Sequence, residues 1–235
     1  MSAVFKREFR SFFTSPIGYV VLAVLFFFSG YFFFLGNLAS QSPDLSTVFN
    51  SLFTVVLFTL PLLSMRLFSE EKRQKTDQAL LTAPTGLAGI VVGKFLAALL
   101  VYALGIAITL VFAVIIALKV TPDWLVIIGN YVGILLLGGL IISIGTLISA
   151  LTESQLVAAL GTYAISFLLL MLDALASLFS SSTIVTSVVG FLSVQTRYYH
   201  FVNGIIGYND VLFFVALQVL FLFLTVRVFD RRRWN

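Results

Sequence analysis

Cysteine is absent, histidine occurs once (His200), and charged residues fill only 10% of the positions. Without cysteine there is no disulfide, thiolate metal site or thiol nucleophile. A single imidazole excludes the paired histidines of a His-Glu-x-x-His zinc hydrolase. Charge is also too sparse for a soluble domain, which carries about 25% charged and roughly 45–50% apolar residues. Here 60% of the residues are hydrophobic and the mean hydropathy is +1.10. A chain of 235 residues with this composition could not clothe a globule in polar surface, so the bilayer is its natural solvent.

What the chain does have is long uncharged sequence. Such stretches cover 11–43, 45–65, 95–118, 124–152, 154–172 (continuing past Asp173) and 211–226. A helix needs roughly 20 apolar residues to cross about 30 Å of hydrocarbon. This predicts an all-α polytopic membrane protein forming one domain over 1–235, with six spans near 17–39, 48–65, 95–118, 124–150, 156–179 and 211–229. The last is short, and Arg227 can snorkel to lengthen it. The first run lies behind Lys6, Arg7 and Arg10 and is too long for a signal-peptide core, so it is expected to be a retained span.

The net charge of +4 reads as topology rather than nucleic-acid binding, because the basic residues border the apolar runs. With the N-terminus in the cytoplasm, twelve of them fall inside: Lys6, Arg7, Arg10, Arg66, Lys72, Arg73, Lys75, Lys94, Arg227, Arg231, Arg232 and Arg233. Only Lys119 and Arg197 fall outside. The positive-inside rule then places both termini in the cytoplasm.

The connections add three expectations. Val4, Phe5, Phe9, Phe12 and Phe13 share a helical face opposite Lys6, Arg7, Arg10 and Thr14, which predicts an interfacial amphipathic helix ended by Pro16. Residues 151–155 are too few for anything but a tight hairpin turn between spans four and five. Ile184–Val194 is apolar yet too short to cross, so 184–207 is expected to re-enter the membrane against spans five and six.

Catalytic patterns fail one by one. Gly89-Ile-Val-Val-Gly93-Lys94-Phe95 is one residue short of a P-loop and has no hydroxyl for Mg²⁺. The same glycines, with Gly129 and Gly133, fit close packing of membrane helices, and Gly133, Gly138, Gly139 and Gly145 make span four glycine-rich. Gly139–Gly145 around Ser143 has the wrong spacing for a nucleophile elbow. At membrane depth the polar candidates for a pathway or a structural contact are Asn130 and Asp173, the latter the one ionisable residue the spans place there. The segment from Arg66 to Pro84 is the sizeable inward-facing connection, a charged helix with an apolar end at Leu80 and Leu81. By itself it reads equally as a solvated connector or as a docking surface.

Glu70, Glu71, Lys72, Thr76, Leu80, Leu81 and Pro84 stand in register with a motif of the form Glu-Glu-Lys/Arg-x-x-Gly-Thr-x-Glu-x-Leu-Leu-x-x-Pro. Lys75 stands where that motif has Gly, and Asp77-Gln78 displaces its later acid. With Lys6-Arg7-Glu8-Phe9 and Ser15-Pro16 before it, and Leu192-Ser193, Arg197–Phe201, Gly204 and Asp210 after it, the chain resembles the permease subunits of ABC type-2 exporters. The resemblance is strongest to gliding-motility-type and nitrous-oxide-reductase-associated permeases. It implies a dimerising permease, paired with a second copy or a homologue, whose spans one, two and five line a path. It also implies a coupling helix on which an ABC ATP-binding subunit docks through Glu70, Glu71, Lys72, Arg73, Thr76, Leu80 and Leu81, with Glu153 a weaker contact. ATP and Mg²⁺ would sit on that partner, with no cofactor and no catalytic residue on this chain, and an auxiliary periplasmic or membrane protein is a further expected partner. The competing expectations are a non-transporting membrane scaffold of an ABC-driven machine and a self-sufficient secondary transporter.

Overall fold

A computed structural model describes residues 2–76, 86–178 and 193–234, excepting the side chains of 172–178 and 232–234. Every element among them is helical. In chain order these are α1 (Ser2–Thr14), α2 (Pro16–Phe33) running into a π-helical turn (Phe34–Ala39), α3 (Ser46–Ser64), α4 (Arg66–Arg73), α5 (Leu87–Ile106), α6 (Ile108–Ala117), α7 (Trp124–Leu151), α8 (Gln155–Leu178), α9 (Val194–Val202) and α10 (Tyr208–Trp234). Five stretches are long and apolar enough to cross a membrane: Pro16–Ala39, Ser46–Arg73, Leu87–Ala117, Trp124–Leu151 and Tyr208–Arg231. Of the expected span 156–179, residues 156–178 lie in α8, whose described apolar part is Gln155–Met171.

Local chemistry sets several boundaries. Pro16, with no N–H to donate, opens α2 at its first turn. Asp123 caps α7, its carboxylate accepting the amides of Leu125 and Val126 at 3.1 and 3.4 Å. Ser193 caps α9 by accepting the Thr196 amide at 3.0 Å. The third stretch begins at Leu87, well before the expected 95, because Lys94 finds partners inside the protein and need not stay at the membrane edge.

α7 is the central helix. Of its most apolar window 72% is buried, against 17% for α10 and 28% for α2, whose outward faces are left to lipid. It packs against α3, α4, α5, α8, α9 and α10. Its glycines permit this. A Cβ on Gly138 would lie 2.1 Å from the Tyr102 ring of α5, and one on Gly133 would lie 2.5 Å from Phe201 of α9. The glycine pattern of span four is thus read out as contact. Gly89 is different, with open space around it.

Two of the connecting segments have their packing described. The apolar face of α1 lies mainly against α5, burying Phe12 and half-burying Val4, Phe5, Phe9 and Phe13. Of the segment 184–207, residues 184–192 lie outside the described residues. The remainder forms α9, packed chiefly on α7 and less on α8 and α3, because the Gly133 notch accepts Phe201. The Tyr198 hydroxyl donates to Phe49 O at 2.9 Å, which fastens α9 to α3.

Gly138→Ala should lower the thermal midpoint of the detergent-solubilised protein. The new methyl must displace a fully buried tyrosine whose hydroxyl donates to Ile134 O at 2.7 Å, a cost of about 1–3 kcal/mol. Gly89→Ala is the control and should leave the midpoint unchanged or slightly raised.

Candidate functional site

At one end of the bundle α1, α4, α5 and the end of α7 meet around Lys94, whose residue is 1% exposed. An ammonium has three donors and no acceptor. Nζ of Lys94 donates to Leu67 O at 2.6 Å and forms ion pairs with Glu71 Oε2 at 3.0 Å and Glu8 Oε1 at 3.3 Å. The Phe68 ring lies beneath it, 4.9 Å from Nζ to centroid. Arg7 closes the figure, its Nη2 reaching Glu8 Oε1 at 2.8 Å and Glu71 Oε1 at 3.0 Å. The result is a neutral ring of alternating charge, Arg7–Glu8–Lys94–Glu71, joining three helices. Arg7 is the ring's exposed corner, and its hydrogen bond to Glu8, helped by the charge of Glu71, holds its guanidinium above its ordinary value.

A second set of bonds fixes α4 to its neighbours. The hydroxyl of Ser149 on α7 accepts the amides of Phe68 and Ser69, both at 2.9 Å, and donates to Met65 O at 2.9 Å. Those amides belong to the first turn of α4, where a helix has no acceptors of its own. Ser149 therefore acts as a cap supplied by another helix. Lys72 Nζ donates to Ala150 O at 3.1 Å. Arg66 pairs with Glu70 at 3.3 Å and donates to Ser15 Oγ at 2.6 Å and Ser11 Oγ at 3.2 Å. On the far side, Phe68 meets Phe229 of α10 at 4.7 Å between centroids.

The partner-contact residues expected from sequence divide sharply. Lys72 is buried and turned toward α7. Glu71 belongs to the ring and Glu70 pairs with Arg66. Arg73 and Thr76 are exposed, as is Glu153 in the nearby turn after α7. Leu80 and Leu81 lie outside the described residues, as does the side chain of Asp173. Asn130 stands far from this end. Its Nδ2 donates to Val126 O at 2.8 Å and to Ser46 Oγ and Val202 O at 3.3 Å each, so it ties α7, α3 and α9 together. The sequence also marks Arg197, His200 and Asp210 only as part of a pattern. In the structure Asp210 takes Arg197 at 2.7 Å and His200 at 2.9 Å, joining α9 to α10.

Sequence reasoning missed Glu8, Lys94, Arg66 and Ser149 as members of the site. Three of them were visible as charges bordering apolar runs. Nothing in their spacing says that they converge.

The end of α4 shows why the departure at position 75 matters. The Lys75 amide bonds Lys72 O and the Thr76 amide bonds Glu71 O, both at 3.0 Å. That pair is a Schellman closure, which demands a left-handed residue after the cap. Lys75 supplies it with φ 56°, at a side-chain cost glycine would not bear. Among the described residues no group of three or more His, Asp or Glu could hold a metal ion.

Two measurements test this geometry. Lys94→Met strands two carboxylates and should cost about 3–5 kcal/mol, read as a large drop in thermal midpoint. Lys75→Gly relieves the left-handed lysine and should raise stability by about 1 kcal/mol. A Lys75→Gly protein that melts lower would contradict the closure described.

Compared with known families, residues 2–234 match the family model described as ABC-2 family transporter protein. No curated protein matches the sequence.

Proposed function

The chain belongs to the ABC-2 transporter family, and on that premise we propose that it is the permease subunit of an ATP-binding-cassette exporter, driven by a separate ATP-binding subunit docked on α4 and the residues after it. The observation that carries this is the wiring of α4. A short charged helix bonds to α7 through Ser149 and Ala150, to α5 through Lys94, and to α1 through Arg7, Ser11 and Ser15. A push on its exposed end reaches three helices at once. Arg73, Lys75, Thr76 and Glu153 present that end to solvent. Glu70 and Glu71 support it from behind, and Leu80 and Leu81 extend it along the chain.

The remaining parts of the reading follow. In this reading α8 crosses as the fifth of six spans, α1 lies along the inner leaflet with its apolar face against α5, and both termini are cytoplasmic in a bacterial inner membrane. The twelve-to-two partition of basic residues supports this orientation. ATP and Mg²⁺ belong to the partner, since the sequence carries no phosphate cradle. A second permease copy or a homologue completes the path. Kinship to the gliding-motility-type and nitrous-oxide-reductase-associated permeases, and an auxiliary periplasmic partner, belong to the same proposal and rest on the motifs at 70–84 and 192–210.

Co-expression with a cognate ABC ATP-binding subunit should yield a complex with ATPase activity, whereas the chain alone should have none. Arg73→Glu combined with Lys75→Glu should cut recovery of the complex at least severalfold while leaving the thermal midpoint of the isolated chain near that of the unaltered protein. Undiminished complex and activity in that variant, or labelling of residues 73–76 from outside intact cells, would overturn the docking reading.

A further inference from the structure

At the end of the bundle opposite Lys94, the chain between α2 and α3 and the end of α6 enclose a cleft of about 310 Å³. That is within the range of about 300–1,000 Å³ usual for small-ligand sites. Its inner wall is apolar, from Phe33, Ile115 and Ile116, and its rim carries Asn37, Pro43 and Lys119. Trp124 and Tyr208, which begin α7 and α10 at this same end, are 53% and 80% exposed. Aromatic residues of that kind mark the level of lipid headgroups. The cleft therefore opens where headgroups lie, with its apolar wall toward the acyl chains.

Two polar groups at the rim have unspent capacity. Lys119 is exposed and forms no ion pair among the described residues. It is also one of only two basic residues on the side that the charge bias leaves nearly bare. Asn37 is 4% exposed, and its Nδ2 donates to Ser42 O at 2.8 Å and Asp44 O at 3.0 Å. Those two carbonyl acceptors fix which end of the amide is nitrogen. The other end, Oδ1, is buried without a partner, although a buried polar atom ordinarily finds one. Asn37 also lies in the π-helical turn, a distortion often found at binding sites. A free acceptor asks for an N–H or O–H donor, and a free ammonium on lysine asks for an anion. Beyond Pro43, Asp44 and Asp123 line a neighbouring cleft of about 280 Å³ and bring negative charge to this end of the bundle.

We propose that this cleft binds a phospholipid with an ethanolamine headgroup, its phosphate on Lys119 and its primary ammonium donating toward Asn37 Oδ1, with an acyl chain along Phe33, Ile115 and Ile116. A choline headgroup has the same phosphate and positive charge but no N–H to donate. A glycerol headgroup lacks the positive charge that Asp44 and Asp123 favour. The inference rests on the membrane reading of the chain and not on the ATP-binding partner, so it can fail while the docking proposal stands, and the reverse.

The test is native mass spectrometry of the purified full chain in detergent, titrated with synthetic phospholipids of identical acyl chains. Ethanolamine lipid should bind about tenfold better than choline lipid, the size of one hydrogen bond to a charged group. On the unaltered protein, the N-monomethyl and N-dimethyl headgroups retain an N–H and should keep most of that advantage, which is lost at choline. Lys119→Gln should weaken ethanolamine and choline lipids alike, and Asn37→Leu should abolish the difference between them. Equal binding of ethanolamine and choline lipids, preference for the glycerol headgroup, a smooth decline along the methyl series, or Lys119→Gln binding as the unaltered chain does would each overturn the assignment and leave ordinary annular lipid.

Discussion

An ammonium enclosed by protein and lipid must be neutralised where it stands, and that requirement at Lys94 organises one whole end of this molecule. Leaving water costs such a group several kcal/mol even after the protein relaxes. Glu8 from α1 and Glu71 from α4 supply the charge, Leu67 O accepts a hydrogen bond, and Phe68 supplies a π face. None of the three helices can shift alone without breaking a contact the buried charge depends on. Rigid connection of this kind is what a helix needs if work delivered at one end is to appear elsewhere in the bundle.

The other constraint is the thinness of α7. Glycine and small hydroxyl residues along it let its six neighbours approach closely, and their side chains fill the space it leaves, as Tyr102 and Phe201 do over Gly138 and Gly133. Polar atoms inside the bundle are largely used up in local bonds, as with Thr146 to Ile142 O at 2.6 Å and Ser143 to Leu140 O at 2.7 Å. Others cross between helices, as Tyr102 and Gln218 do to α7 carbonyls in mid-bundle. At the charged end, Ser149 reaches across to α4. At the opposite end, Asn130 gathers three helices, and Asn37 keeps an acceptor in reserve.

Much of the architecture was legible because lipid permits few alternatives: backbone groups must be satisfied within each helix. Apolar run length therefore locates the helices near 17–39, 124–150 and 211–229 closely. Where legibility ends is instructive. Lys94 looked like a boundary because a lone lysine is expelled from a membrane, and run length does not reveal that Glu8, eighty-six positions earlier, comes to meet it. The charged helix after span two looked exposed for the same reason, although its buried face, Leu67, Phe68, Ser69 and Lys72, is half of its eight residues. By contrast, the mismatch at Lys75 was visible in the motif itself. Its structural meaning, a left-handed closure, needed the hydrogen bonds of the next residue.

The cap that Ser149 lends to α4 also bears on how the protein is made. A ribosome delivers Phe68 and Ser69 some eighty residues before the hydroxyl that accepts their amides, and four membrane insertions separate the earliest and latest contributors to that corner. Until span four has entered the bilayer, the first turn of α4 has no acceptor from that helix and Lys72 has no carbonyl at Ala150. The handle thus takes its final form late in synthesis. A soluble subunit that recognises the finished shape would pass over truncated or half-inserted chains and engage those whose bundle has closed.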